Sequence, residues 1–104
     1  MEALTRLETT VIERLAADPG SSYVASLRAK GLPTIARKLG EEATEAVVAA
    51  LSGSDEELVG EAADVLFHLT VLLAARGISL DRVMAELERR EGTSGLAEKA
   101  SRSR

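Results

Sequence analysis

Five carboxylate residues interrupt an otherwise apolar part of the sequence, between Lys38 and Ala75: Glu41, Glu42, Glu45, Glu61 and Asp64. Glu45 follows Glu41 by four positions and Glu42 by three. Further along the chain, Asp64 follows Glu61 by three positions. Spacings of three and four place side chains on one face of an α-helix. Carboxylates arranged in this way either bind a cation or belong to solvated faces with basic partners.

The two acidic segments are joined by a short turn centred on Gly53, which makes their helices antiparallel neighbours. Glu45 and Glu61 each lie eight residues from Gly53, and Glu42 and Asp64 each lie eleven residues from it. At ~1.5 Å rise per residue, the members of each pair therefore lie at matching heights above the turn. The spacing predicts that four carboxylates converge between two packed helices.

Such a cluster needs a positive partner. Two like charges about 4 Å apart repel each other by ~4 kcal/mol at an effective dielectric constant near 20. The sequence between Glu61 and Ala75 has no Lys or Arg that could supply the charge. Oxygen-only ligand sets suit hard divalent cations, so we predict that Mg²⁺ or Mn²⁺ binds at this site. The predicted metal ligands are Glu42, Glu45, Glu61 and Asp64.

The elements that position these residues are helical. Apolar residues recur at helical spacing through nearly the whole chain, which predicts an all-α fold of about five helices. The third and fourth helices would form the central antiparallel pair of a four-helix-type bundle, completed by dimerisation. The predicted helices are Leu4–Leu15, a second from a cap at Ser21 or Ser22 to Gly31, Thr34–Leu51, a fourth from a capping box at Ser54 to Arg76, and Ser79–Glu91. Residues 1–91 would form the domain, and residues 92–104 a polar tail without regular structure.

The composition limits the classes of partner. The chain has 104 residues, which fits one small domain, and it contains no cysteine. Its net charge of −4 gives no basic face for nucleic acid. Its longest apolar stretch, Val65–Ala75, is too short to span a bilayer. We therefore expect a cytoplasmic protein with neither nucleic acid nor a membrane as partner, and its small size favours a homodimer.

The acidic pattern resembles that of a known superfamily. Written as E-E-x-x-E, fifteen intervening residues and E-x-x-D, it is similar to the all-α nucleoside-triphosphate pyrophosphohydrolases, the MazG-like superfamily. Three segments, Ser22–Glu45, Ala63–Leu73 and Glu86–Arg102, narrow the resemblance to the phosphoribosyl-ATP pyrophosphohydrolases of histidine biosynthesis. This resemblance covers essentially the whole chain. It implies Mg²⁺-dependent cleavage of phosphoribosyl-ATP between the α and β phosphates, which gives phosphoribosyl-AMP and pyrophosphate.

The resemblance also implies roles for further residues. Glu41 or Glu45 would orient or deprotonate the attacking water. Basic side chains would bind the phosphates of the substrate, and the tail would close over it with its own two cations. The predicted substrate-binding residues are Arg28, Lys30, Lys38, Lys99 and Arg102.

Two alternatives to this function remain at the level of the sequence. One is a house-cleaning pyrophosphohydrolase of other nucleoside triphosphates, and the other is a non-catalytic helical dimerisation module.

Three further residues have structural interpretations. We expect His68 to be buried and hydrogen-bonded to Asp64 or to backbone. Phe67 and Tyr23 are expected in the core, although Tyr23 could instead line a nucleotide pocket.

Overall fold

The fold is all-α, as the periodicity predicts. The computed structural model describes residues 2–92 and 95–102, and these residues form six helices. Their bounds are α1 Glu2–Leu15, α2 Tyr23–Lys30, α3 Leu32–Ser52, α4 Asp55–Ala75, α5 Leu80–Arg90 and α6 Gly95–Arg102. The prediction of a tail over 92–104 therefore lies partly outside the described residues, at 93–94 and 103–104.

Side chains at the helix starts fix where the elements begin. The Ser22 hydroxyl accepts a hydrogen bond from the Ala25 N–H at 3.2 Å and caps α2. Ser54 and Glu57 form the predicted capping box at α4, with bonds of 3.1 and 2.7 Å. Helix α3 begins two residues earlier than predicted, at Leu32, because Pro33 is accommodated in its first turn, where a missing N–H leaves no helical bond unmade.

Helices α3 and α4 form the central pair and share the most extensive helix–helix contact among the described residues. Helix α1 packs against α4, and α2 packs against both α1 and α3. The buried apolar core consists of Val11, Val24, Leu27, Ile35 and Val71. Because its α3 and α4 members lie far from the Gly53 turn, this core occupies the end of the helix pair that is remote from the turn.

The turn end of the helix pair is not covered by the other helices of the described chain. Large apolar side chains on both helices are exposed there: Leu51 is 83% exposed and Val59 69%, and Val47 and Val48 are also more than half exposed. Part of α4 is therefore exposed in a single chain. The physical reason is length, because α1 with 14 residues is about 21 Å long and α4 with 21 residues about 31 Å.

By length and composition alone, α4 could cross a bilayer, although the shorter apolar stretch inside it could not. Core helices of soluble proteins pass the same test. Helix α4 pairs with α3, and Glu61 on α4 lies beside Glu42 and Glu45 of α3.

The tail differs from its prediction, because Gly95–Arg102 is helical rather than irregular. The expectation of an unstructured tail gave too much weight to its polarity. Alanine, leucine, glutamate, lysine and arginine have high helix propensity, and six of these eight residues are of those types.

The capping box at Ser54 should contribute measurably to stability. Replacing Ser54 with alanine (Ser54→Ala) removes the acceptor for the Glu57 N–H, and loss of such a cap costs about 1 kcal/mol. We expect the melting temperature, followed by circular dichroism, to fall by roughly 4–8 °C. The control is Ser52→Ala, since the Ser52 hydroxyl only bonds the Val48 carbonyl within α3. An equal effect of both substitutions would contradict a specific role for the cap.

Candidate metal centre

Three of the predicted carboxylates converge between α3 and α4. Glu42, Glu45 and Glu61 each present one oxygen, and these oxygens lie within 4.8 Å of one another. Glu42 is buried, with 7% of its surface exposed, whereas Glu45 is exposed to solvent. The helix spacing of three and the antiparallel turn thus bring together Glu42 and Glu45 of α3 with Glu61 of α4, and of the two pairs expected at matching heights this triad contains Glu45 with Glu61.

Glu61 carries the clearest sign of an unsatisfied site. Its Oε1 atom is buried and receives no hydrogen bond from the described residues. Burial is the largest cause that raises the pKa of Glu61 above its usual range, followed by the charges of Glu45 and Asp64. A buried carboxylate oxygen without a hydrogen-bond partner lies beside two further carboxylates, and this donor set, oxygen throughout, fits a hard divalent ion.

Asp64 lies next to this triad but is not part of it. It is exposed and lines the same groove as Glu45 and Glu61, and its charge helps to raise the pKa of Glu61. Equal height above the turn thus does not suffice to bring Asp64 into the triad with Glu42, and the role of Asp64 as a fourth ligand stays a prediction.

A groove of about 550 Å³ runs from the acidic triad towards the turn between α3 and α4. Small residues, Ala49, Gly53 and Gly60, line it together with Val48. Sequence reasoning did not identify this groove, although alanine and glycine at facing positions of two helices were the signal available. The acidic cluster is therefore open to a ligand of substantial size from one side.

Lys38, on α3, places a positive charge beside the acidic cluster. Its Nζ atom lies 3.6 Å from Glu41 and 3.8 Å from Glu42, each measured to a carboxylate oxygen. Tyr23 is the largest cause that raises the pKa of Lys38, and Glu41 and Glu42 raise it further, against an opposing effect of burial. Glu41 also pairs with Arg37 at 3.4 Å, so this carboxylate is held by two cations outside the triad.

The other predicted basic residues have different surroundings. The Arg28 guanidinium donates to the Leu15 carbonyl at 2.8 Å and thereby links α2 to the end of α1. Lys30 is exposed at the last residue of α2. Lys99 and Arg102 are exposed in the last turn of α6. Their roles in substrate binding stay predictions, whereas Lys38 is in ionic contact with the cluster.

His68 has the structural role expected of it and connects α2 to α4. It is buried, its Nδ1 lies 2.8 Å from the Asp64 carbonyl oxygen, and its Nε2 lies 2.9 Å from the Tyr23 hydroxyl. Since a carbonyl can only accept, Nδ1 carries the proton, and in the neutral ring Nε2 accepts from Tyr23. Phe67 packs against the core, as expected. The expectation that Tyr23 also lies in the core is wrong, because 49% of the surface of Tyr23 is exposed.

Comparison with known proteins identifies the group to which this site belongs. The sequence model of the family described as phosphoribosyl-ATP pyrophosphohydrolase matches residues 4–91. The chain belongs to that family. A protein of Erythrobacter litoralis named phosphoribosyl-ATP pyrophosphatase is 70% identical over 98% of both chains. Proteins of the same name from Novosphingobium aromaticivorans and Rhodobacter capsulatus are 64% and 61% identical, over 98% of this chain and 95% and 99% of theirs.

The phosphoribosyl-ATP pyrophosphohydrolase family match confirms the resemblance drawn from the acidic pattern and the three flanking segments. It also confirms that the chain is a hydrolase. All five acidic residues of the pattern lie within the matched range 4–91. Helix α6 of the tail lies beyond this range, although the alignment with the Erythrobacter litoralis protein covers 98% of the chain.

The raised pKa of Glu61 gives the metal-free protein a characteristic pH dependence. The folded state holds this proton more tightly than the unfolded chain, so stability falls as pH rises from the ordinary value of 4.5 through the raised one. Glu61→Gln keeps the volume, removes the charge and lets the amide donate to Glu45. We expect this variant to melt at a higher temperature than the wild type at pH 8, in excess chelator.

The difference should shrink towards pH 4.5, where Glu61 of the wild type becomes protonated. Glu88→Gln, at an exposed position of α5, is the control and should follow the wild type across the whole range. A Glu61→Gln variant less stable than the wild type at pH 8 would show that this carboxylate is not strained by its neighbours.

Proposed function

We propose that this chain hydrolyses phosphoribosyl-ATP to phosphoribosyl-AMP and pyrophosphate, the second step of histidine biosynthesis. The observation that carries the proposal is the carboxylate triad with its unsatisfied Glu61 oxygen, in a chain of the phosphoribosyl-ATP pyrophosphohydrolase family. The names of the relatives support the same substrate. Cleavage of an α–β phosphate bond produces negative charge, and an acidic protein needs a cation to bring its carboxylates near it.

The cation is Mg²⁺, for which Mn²⁺ can substitute. Glu42, Glu45 and Glu61 would hold it, with Asp64 contributing from the groove side. Three or four carboxylate oxygens on two rigid helices suit hard ions of this kind. When bound, the ion would neutralise phosphate oxygens and stabilise the charge that develops during cleavage. The protein contributes by holding the ligands in place on two helices joined by a short turn.

Glu45 is better placed than Glu41 to orient or deprotonate the attacking water. Its carboxylate is exposed, borders the groove and is within the triad. Glu41 is paired with Arg37 and Lys38, and these two cations stabilise its ionised form and occupy its oxygens. A general base must reach the proton that it removes, and the groove gives Glu45 this access. Glu41 would then contribute by holding the Lys38 side chain in position through their ion pair.

Lys38 binds a phosphate oxygen of the substrate. Its ammonium group lies beside Glu41 and Glu42 at the edge of the cluster, where it would also reach an anionic oxygen of a bound substrate. Arg28, Lys30, Lys99 and Arg102 would add positive charge at the periphery, the last two from the tail as it closes over the substrate. Such closure excludes water from the reacting phosphates.

The two alternative functions are less well supported. A house-cleaning activity on other nucleoside triphosphates would use the same triad, but the relatives at 57–70% identity all carry the phosphoribosyl-ATP name. A non-catalytic dimerisation module would satisfy its acids with salt bridges, and Glu61 receives none among the described residues. The proposed enzyme acts in the cytoplasm on a small molecule, with neither nucleic acid nor a membrane as partner.

A second copy of the chain covers the exposed apolar residues at the turn end. Leu51, Val47 and Val59 lie on the two helices that also carry the triad. A contiguous apolar surface on both central helices is typical of an interface that resembles a core cut in half. A homodimer would therefore complete the bundle around the site.

Light scattering at micromolar concentration should report twice the chain mass of 11.0 kDa. Leu51→Glu introduces a charge into the proposed interface and should shift the mass to that of a single chain. Leu96→Glu is the matched control, because Leu96 is equally exposed but lies on α6, and it should leave the dimer intact. A wild-type protein with the mass of one chain would rule out the dimer.

Glu42→Gln should abolish function while preserving the fold. Loss of one buried ligand charge removes several kcal/mol of stabilisation, so pyrophosphate release from phosphoribosyl-ATP should fall by at least about 100-fold. Wild-type protein should also melt at a higher temperature when Mg²⁺ is added, since a ligand that binds only the folded state stabilises it. Glu42→Gln should lose most of this rise, and Glu88→Gln should retain both properties.

The same assay separates the alternatives. Faster hydrolysis of ATP or a deoxynucleoside triphosphate than of phosphoribosyl-ATP would favour the house-cleaning activity. Full activity in excess chelator would contradict the metal proposal. If the wild-type protein hydrolyses none of these substrates and its melting temperature does not rise with Mg²⁺, the dimerisation module is the favoured function.

A further inference from the structure

Tyr23 is an aromatic residue that the proposed phosphate chemistry does not use. It is the first residue of α2 and about half exposed. One face of its ring stacks on Phe67, with centroids 6.1 Å apart and the rings inclined by 23°. The ring therefore packs against Phe67 while about half of the surface of the residue stays open to solvent.

The ring is held rigidly in this position. Its hydroxyl lies 2.9 Å from Nε2 of His68, and the other ring nitrogen of His68 is bonded to the Asp64 carbonyl. His68 is itself buried and contacts both aromatic rings edge-on, at 5.8 Å from Tyr23 and 5.1 Å from Phe67. An exposed aromatic ring that is fixed by a buried partner is already organised to receive another flat group, at little cost in side-chain entropy.

The position of Tyr23 relative to the metal centre follows from His68. The Tyr23 hydroxyl lies 2.9 Å from Nε2 of His68, and Nδ1 of the same ring lies 2.8 Å from the carbonyl oxygen of Asp64. Asp64 lines the groove together with Glu45 and Glu61 of the triad. One histidine ring therefore connects the fixed tyrosine to the helix segment that borders the carboxylate triad.

The chain contains few aromatic residues on which a nucleotide base could stack. The whole chain contains one tyrosine, one phenylalanine and no tryptophan. Phe67 is partly buried against the core, so it is Tyr23 that offers an open aromatic surface. We propose that the exposed face of Tyr23 is the platform on which the purine base of the nucleotide substrate stacks. This inference rests on the proposed function and adds to it the residue that recognises the base.

The single tyrosine permits a direct test on the unaltered protein. Without tryptophan, the intrinsic fluorescence of the folded protein comes from Tyr23 alone. In the presence of Mg²⁺, AMP should quench this fluorescence saturably, after correction for its absorbance, because the base stacks on the ring. Pyrophosphate, which has no base, should bind without comparable quenching. Absence of saturable quenching by AMP would overturn the proposal.

Two variants then separate stacking from a structural role. Tyr23→Phe keeps the ring and loses only the hydroxyl bond to His68, so the KM for phosphoribosyl-ATP should stay within about threefold. Tyr23→Leu removes the ring and should raise KM by about 5–150-fold, the range expected for loss of one base–aromatic stack, with little change in kcat. Inhibition by AMP should weaken in parallel, while inhibition by pyrophosphate should be unchanged.

The outcomes also distinguish this proposal from the proposed function. If wild-type protein hydrolyses phosphoribosyl-ATP but Tyr23→Leu keeps a normal KM, the stacking platform is wrong and the function stands. If Tyr23→Leu weakens AMP and pyrophosphate equally, Tyr23 only supports the local structure, and the platform is again wrong. If the wild type does not hydrolyse phosphoribosyl-ATP, the fluorescence measurement with AMP still decides whether Tyr23 receives a purine.

Discussion

The mutual repulsion of Glu42, Glu45 and Glu61 is the constraint around which the molecule is organised. Three carboxylate oxygens within 4.8 Å of one another oppose the packing of α3 on α4. The pairing of these helices persists because they share the most extensive contact among the described helices and because the Ser54 capping box fixes how α4 leaves the turn. Packing energy thereby holds charges at a separation that they would not adopt by themselves, and a cation bound between them would relieve the repulsion.

The two ends of the α3–α4 helix pair have different surroundings. At the end remote from the turn, α1 and α2 supply Val11, Val24 and Leu27, which close a conventional core with residues of α3 and α4. At the turn end, no described helix covers Leu51 or Val59. The acidic triad lies between these regions, so its surroundings are rigid on one side and open to a ligand or a second chain on the other.

The sequence predicted the elements and the acidic cluster because both depend on periodicity and on counting from a turn. Glu45 and Glu61 could be paired because they are equidistant from Gly53. The relation of Asp64 to the triad could not be predicted in the same way, since it depends on the direction of a side chain around the helix axis. The exposure of Tyr23 was also out of reach, because it depends on how α2 lies against α3 and α4. The ion pairs of Lys38 with Glu41 and Glu42, by contrast, follow from spacings of three and four residues within α3.

The number of residues between the two acidic segments follows as a constraint of its own. Fifteen residues separate Glu45 from Glu61. One residue inserted into either helix between its carboxylate and the turn would rotate that carboxylate by about 100° and move it 1.5 Å along the axis. Most of the intervening side chains could change without this effect. This region should therefore tolerate substitutions far better than insertions or deletions, because its length keeps the carboxylates facing one another.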